Sequence, residues 1–307
     1  MIAVCFALLG AFSQALASVL HRLTNVTARD EDRSIVQSTL YLLRQPLWLL
    51  GIVSMGATFV FTATALYFGQ LATVQPILVT ELIFTLALRA LWLHDDIAAR
   101  TWGAAVLLCA GLFGFLMIAR PQEGHGHPTA GQWIVAVGAR MAVVGILVLL
   151  SRWGSPARRA ALLGASAALV WAIDAAFVKA ATDTLATDGW SGVLLHWPVY
   201  AVVVSGVGGT FLLEAAFAAG PLAASQSALL IVDPMASIAM GLQLFGETLT
   251  HTPWAIVLQV ACLLVMFGGV VLLSVWAPPT MEGRTRKRPQ VVPPLGAVPL
   301  EPDTGST

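Results

Sequence analysis

The chain has 307 residues, of which 58% are hydrophobic and 10% charged, with a mean hydropathy of +0.82. A soluble domain carries about 25% charged residues, so this composition excludes an ordinary soluble protein and points to the bilayer. The formal net charge is zero, which leaves no general attraction to nucleic acid, and no such partner is expected.

A helix needs about 20 mostly apolar residues to cross the hydrocarbon core. Taken in chain order, the stretches that qualify are 2–21, 46–68, 71–93, 101–119, 131–151, 160–182, 192–213, 223–245 and 254–276. The expected fold class is therefore all-α, a polytopic membrane helix bundle of about nine transmembrane helices. The first span has no Lys or Arg ahead of its apolar run, and its positive flank, Arg22, comes after it. It reads as a retained helix rather than a signal peptide. Residues 34–43 are too few to span and read as an interfacial turn or an extension of the second helix.

The breaks carry polar punctuation: Arg29-Asp30-Glu31-Asp32-Arg33, His94-Asp95-Asp96, Gly124-His125-Gly126-His127-Pro128 and Gly246-Glu247. Trp48, Trp92, Trp102, Trp133, Trp153, Trp190, Trp197, Trp254 and Trp276 fall near span ends, as an interfacial belt requires; Trp171 alone is mid-span. Cys5, Cys109 and Cys262 lie in apolar stretches and read as small buried hydrophobes, with no disulfide or metal-ligand spacing. His125 and His127 are too few for a structural zinc site and read as a solvated loop. No metal and no cofactor is expected.

Alternation through nine spans gathers Arg22, Arg29, Arg33, Arg44, Arg89, Arg100, Arg152, Arg158, Arg159, Arg284, Arg286, Lys287 and Arg288 on one side. The other side receives only Arg120 and Lys179, and Arg140 is mid-span. The positive-inside rule then predicts an outer N-terminus, a cytoplasmic C-terminus and residence in the plasma membrane. Residues 277–307 are rich in Pro and polar residues and read as a disordered cytoplasmic tail. Its basic cluster, 284–288, suits the anionic inner leaflet, so membrane lipid is an expected partner. Nothing in the sequence opposes a homodimer.

The two halves match at a nearly fixed offset. Pro46 pairs with Pro198, Gly69-Gln70-Leu71 with Gly220-Pro221-Leu222, Gln75 with Gln226, Asp96 with Glu247 and Trp102 with Trp254. Leu8-Leu9-Gly10-Ala11 also matches Leu162-Leu163-Gly164-Ala165. The predicted division is repeat one at 1–121, a linking helix at 131–151 and repeat two at 158–276. One helix between two four-helix repeats turns the second upside down, the arrangement of many secondary carriers.

These residues resemble a family. The run Leu66-Tyr67-Phe68-Gly69-Gln70-Leu71-Ala72-Thr73-Val74-Gln75-Pro76, then His94-Asp95-Asp96 and Trp102-Gly103, resembles the drug/metabolite transporter superfamily. Ala219-Gly220-Pro221-Leu222-Ala223-Ala224-Ser225-Gln226 followed by Phe245-Gly246-Glu247-Thr248-Leu249 is similar to the EamA-like repeat ending. The first half departs from it at His94-Asp95-Asp96. The nine-helix layout and Met117-Ile118-Ala119-Arg120-Pro121 also resemble NIPA-type magnesium transporters. The resemblance implies the membrane-carrier fold over about 1–276.

Ionisable groups inside spans cost roughly 2.5–3.5 kcal/mol each at a helix centre, which makes them the first functional candidates. Glu81, Arg140, Asp174 and Asp233 are the four read as deep. Glu81 and Asp233 occupy matching positions of spans 3 and 8, and Pro234 after Asp233 frees a carbonyl one turn back. They read as a proton-coupling or substrate pair, or as a structural pair neutralised by protons or Arg140. Asp174 and Trp171 are three apart on one helix face. They read as a carboxylate beside an aromatic platform for an organic cation, or as a packed Trp with Asp174 paired to Lys179 or Arg140. Arg140 reads first as the neutraliser of a nearby acid and second as an anion site. Gln75 and Gln226 read as cavity lining or as helix-to-helix hydrogen bonds. Asp96 and Glu247 read as helix caps or loop contacts.

Gly206, Gly208, Gly209, Gly268 and Gly269 follow no strand and suit close helix packing. No Walker motif and no catalytic set is present, so enzyme activity is not expected. The sequence predicts a secondary carrier for a small organic metabolite or drug, coupled to protons. A magnesium or other divalent-cation transporter is the alternative, and a non-transporting scaffold or a lipid-acting enzyme the third.

Overall fold

The computed structural model describes residues 1–29, 45–92, 97–122, 124 and 128–276, with the backbone alone for 21–29. The Arg29–Arg33 run beyond Arg29, the piece 34–43, His94-Asp95-Asp96, His125, His127 and the tail from 277 lie outside the described residues. The helices are α1 (Ile2–Arg29), α2 (Pro46–Phe68), α3 (Leu71–Leu78), α4 (Glu81–Trp92), α5 (Ala99–Ala119), α6 (Ala130–Leu150), α7 (Pro156–Leu195), α8 (Pro198–Ala219), α9 (Leu222–Leu244) and α10 (Pro253–Trp276). Among the described residues nine helical spans are long and apolar enough to cross a membrane, and α3 with α4 make up one of them. Their outer surface carries Phe113, Ile134, Val204 and Leu264 exposed, side chains that only lipid would solvate favourably.

Span 3 is broken. Pro76 has no N–H to give and sits inside α3. From Val79 the ladder tightens to three-residue steps, with Val79 N–H on Pro76 O (3.3 Å), Thr80 N–H on Ile77 O (3.0 Å) and Leu82 N–H on Val79 O (3.3 Å). The Thr80 hydroxyl donates to Ile77 O at 2.7 Å and supplies a further partner at the break. The sequence placed its proline signal at Pro234, yet α9 runs unbroken through Pro234. Pro234 is fully buried, and the surrounding helices hold its turn in place.

Span 6 differs most from expectation. Its helix α7 has 40 residues, about 60 Å if straight, roughly twice the hydrocarbon thickness. The helix therefore runs past the apolar span through the expected loop at 183–191, and 192–195, expected to open span 7, lie in a short turn of helix after a kink at Gly189. Gly189 turns the chain inside it at φ 69 and ψ −169, a conformation that glycine alone adopts readily. Span 7 starts at Pro198 rather than 192, because proline fixes the first helical turn there.

The helices pair in a pattern that repeats. α1 lies against α2, as α7 lies against α8; α1 also touches α3 and α4, as α7 touches α9; α5 pairs with α10. Equivalent glycines sit at equivalent contacts. A methyl at Gly69 would fall 2.6 Å from Ala3 at the start of α1, and one at Gly220 would strike the Pro156 carbonyl at the start of α7. Phe115, Leu108, Met266 and Val270 fill the seam between α5 and α10.

Candidate functional site

The three deep acids of the sequence reading are linked through Asp233. Asp233 stands in the middle of α9, Glu81 opens α4 at the break, and Asp174 lies on α7. Glu81 and Asp233 are close enough for their charges to repel, and so are Asp233 and Asp174. Each is partly buried. Ser205 Oγ on α8 lies 2.6 Å from Asp174 Oδ1 and 2.7 Å from the Ala201 carbonyl. A hydroxyl has one proton and cannot donate to both. A proton on Asp174 would complete the set, with Asp174 donating to Ser205 and Ser205 to Ala201. Ser237 Oγ donates to Asp233 Oδ1 at 3.4 Å, one turn along the same helix.

Trp171 and Asp174 do share one face, and that face meets α8. The indole edge, Cδ1 and Nε1, occupies the place a Gly209 side chain would take, and Asp174 Oδ1 stands 3.7 Å from the Cβ position of Gly206. Gly209 makes room for the indole between α7 and α8, and at that spacing Ser205 reaches the carboxylate. Trp171 also packs against the α5–α10 core.

Arg140 does not neutralise these acids. Its Nη1 donates to the Ala136 carbonyl and to Gln243 Oε1, both at 3.0 Å, and it forms no ion pair among the described residues. Side chains on a helix lean toward its N-terminus, so the guanidinium climbs α6 toward Ala136. Gln243 is ten residues along α9 from Asp233, about 15 Å. Lys179 is likewise absent from Asp174: its Nζ donates to the Leu66 carbonyl at 2.8 Å and pairs with Asp183 at 3.0 Å.

Gln75 is 5% exposed in α3 and makes no side-chain hydrogen bond among the described residues. That removes the helix-to-helix bonding reading for Gln75 and leaves a buried amide in need of water or solute. Gln226 is partly buried in the first turns of α9. Trp133 stands near the start of α6, as expected, but faces inward: it is 8% exposed and centres a cluster with Phe177 (5.2 Å), Trp197 (5.2 Å) and Phe245 (6.2 Å). Arg89 is buried inside α4.

Sequence reasoning missed Ser205 and Ser237, because a serine in an apolar run costs little and gives no signal. It also passed over Glu214, five residues from the end of α8. The span boundary at 213 hid it, and α8 carries it inside the helix with its side chain exposed. Glu247 is a cap, but on a helix of the other half. Leu71 N–H donates to its Oε1 at 2.6 Å and Ala72 N–H to its Oε2 at 2.9 Å. Burial pushes its carboxyl up from the ordinary value, against the pull of those two N–H groups and of Lys179.

The nine spans among the described residues, with their apolar exterior, define a multi-pass all-α membrane protein. The chain is 30% identical to the uncharacterized protein Cgl0250/cg0304 of Corynebacterium glutamicum over 276 residues, covering 89% of this chain and 95% of that protein. It belongs to the same family as that protein. No family model matches the chain, and no solved structure matches it.

Proposed function

We propose that the protein is a secondary carrier that moves a small organic metabolite or drug by alternating access, coupled to protons. The observation that carries this is Asp233 at mid-span, within reach of charge repulsion from Glu81 on one side and Asp174 on the other. Buried acids that repel one another hold and release protons as their surroundings change. The two four-helix units are read as inverted repeats of the drug/metabolite transporter type, with a linking helix at α6. The repeated pairing of α1 with α2 and α7 with α8, and the matching contacts of Gly69 and Gly220, support that reading. The orientation follows the arginine distribution: N-terminus outside, C-terminus cytoplasmic, in the plasma membrane.

Among the described residues no group of three His, Cys, Asp or Glu side chains is placed to hold a metal ion. The divalent-cation reading therefore gains no support from the carboxylate centre.

The test is uptake into proteoliposomes. An imposed pH gradient is expected to drive accumulation of a transported solute, and collapse of the gradient by a protonophore to stop it. Binding without flux, indifferent to the gradient, would remove the reading. In the same assay Ser205→Ala is expected to lower the rate about three- to tenfold, the worth of one ordinary hydrogen bond. Its pH–rate profile should move while that of Thr210→Ala, on the exposed side of α8, stays with the parent.

A further inference from the structure

One end of the bundle is tied across its two halves. Glu247 follows α9, yet its carboxylate seats on the first two N–H groups of α3, which have no acceptor within their own helix. The seat is buried, with Glu247 4% exposed, and negative charge is favoured at a helix N-terminus. Further ties lie at the same end. Gln122 and Thr248 exchange backbone hydrogen bonds at 3.0 and 3.3 Å, Thr250 N–H donates to Ala119 O at 2.9 Å, and Lys179 holds the Leu66 carbonyl. The four-ring cluster around Trp133 closes the same region. Beside these ties opens a cavity of about 580 Å³, lined in part by Tyr67, Gln70, Lys179, Asp183, Trp197 and Glu247.

The element so held is short. α3 has eight residues, about 12 Å, between the Glu247 seat and the break at Val79–Thr80. On the far side of that break stands Glu81, the first residue of α4. A half-helix clamped at one end and jointed at the other can swing only when the clamp lets go.

We infer that α3 is the gate between this vestibule and the carboxylate centre, that Val79–Thr80 is its hinge, and that Glu247 is its latch. This rests on the carrier reading. The Glu247 carboxylate leaves the Leu71 and Ala72 N–H groups each time the vestibule side opens.

Two variants unlatch α3 by different means. Glu247→Gln keeps the shape but sets an amide N–H against a backbone N–H. Gly241→Ala keeps the charge but puts its methyl where the Glu247 carboxylate lies. The reporter is Gly206→Cys in a chain freed of Cys5, Cys109 and Cys262; a Cβ there meets nothing closer than Asp174 at 3.7 Å. A membrane-impermeant, charged thiol reagent is applied to either face of vesicles of known orientation. Both variants are expected to raise labelling from the vestibule face about tenfold, as loss of one charge-assisted bond implies, with no rise from the opposite face. Should Glu247→Gln fail to fold, Gly241→Ala decides alone. Unchanged labelling in folded variants, or an equal rise from both faces, overturns the latch. The readout needs no substrate, and flux is measured separately in the chain that keeps Gly206, so faster labelling without pH-driven flux keeps the latch and sinks the carrier, while flux with unchanged labelling sinks the latch alone.

Discussion

Asp233→Asn is expected to abolish pH-driven flux, by about 100-fold or more, while solute counterflow at equal pH stays within about threefold of the parent. Asparagine keeps the shape and a hydrogen-bonding oxygen for Ser237, so the fold should survive. What it loses is the exchangeable proton. Asp233 is the member of the centre that feels both other acids, with Glu81 on one side and Asp174 on the other. Removing its charge relieves both repulsions, so the remaining pair no longer needs to share protons as the surroundings change. Downhill movement of solute requires only a binding site, whereas uphill movement requires that proton. Glu81→Gln and Asp174→Asn each remove one repulsion and are expected to give intermediate losses. The comparison of initial rates with and without the gradient decides the matter. Parental pH-driven uptake in Asp233→Asn would mean that coupling lies elsewhere in the chain, with Glu214 the next carboxylate to test.

Gly111→Val and Gly269→Val should each destabilise the protein by about 3 kcal/mol, the upper range for overpacking a close contact. The reason is where the two residues sit. A methyl on Gly111 would meet the backbone of Met266 and the Cys262 carbonyl, and one on Gly269 would fall 2.6 Å from Leu108 N and 2.9 Å from the Ala104 carbonyl. Backbone cannot move aside as a side-chain tip can. The α5–α10 seam would have to open, and with it the packing of Phe115 and Val270. Total stabilities of about 5–15 kcal/mol leave little to spare, so thermal unfolding in detergent should fall markedly and aggregation rise. Gly138→Val and Gly145→Val are the controls. Both glycines lie on the exposed side of α6 with nothing within 4 Å of an added Cβ, and changes there are expected to stay within about 0.5 kcal/mol. Equal effects at all four positions would show that glycine acts through helix propensity and not through close approach.

The amino-acid sequence alone determined the spans, because hydrocarbon forces every backbone polar group to be satisfied within its own helix and every exposed side chain to be apolar. That constraint acts on single stretches of chain, so length and hydropathy were enough to place the membrane-crossing helices. It also marked Glu81, Asp174 and Asp233, since an acid in an apolar run needs a reason. What lay beyond it depends on neighbours distant in the chain. The partner of Arg140 is Gln243 rather than an acid because its side chain leans up α6 and away from mid-span. Trp133 joined a ring cluster because α7, α8 and the end of α9 converge on it. The break before Glu81 and the unbroken turn at Pro234 differ because surrounding helices decide which proline bends its helix. The Glu247 carboxylate found its N–H partners about 175 residues away, a contact that no local pattern encodes and that packing alone creates.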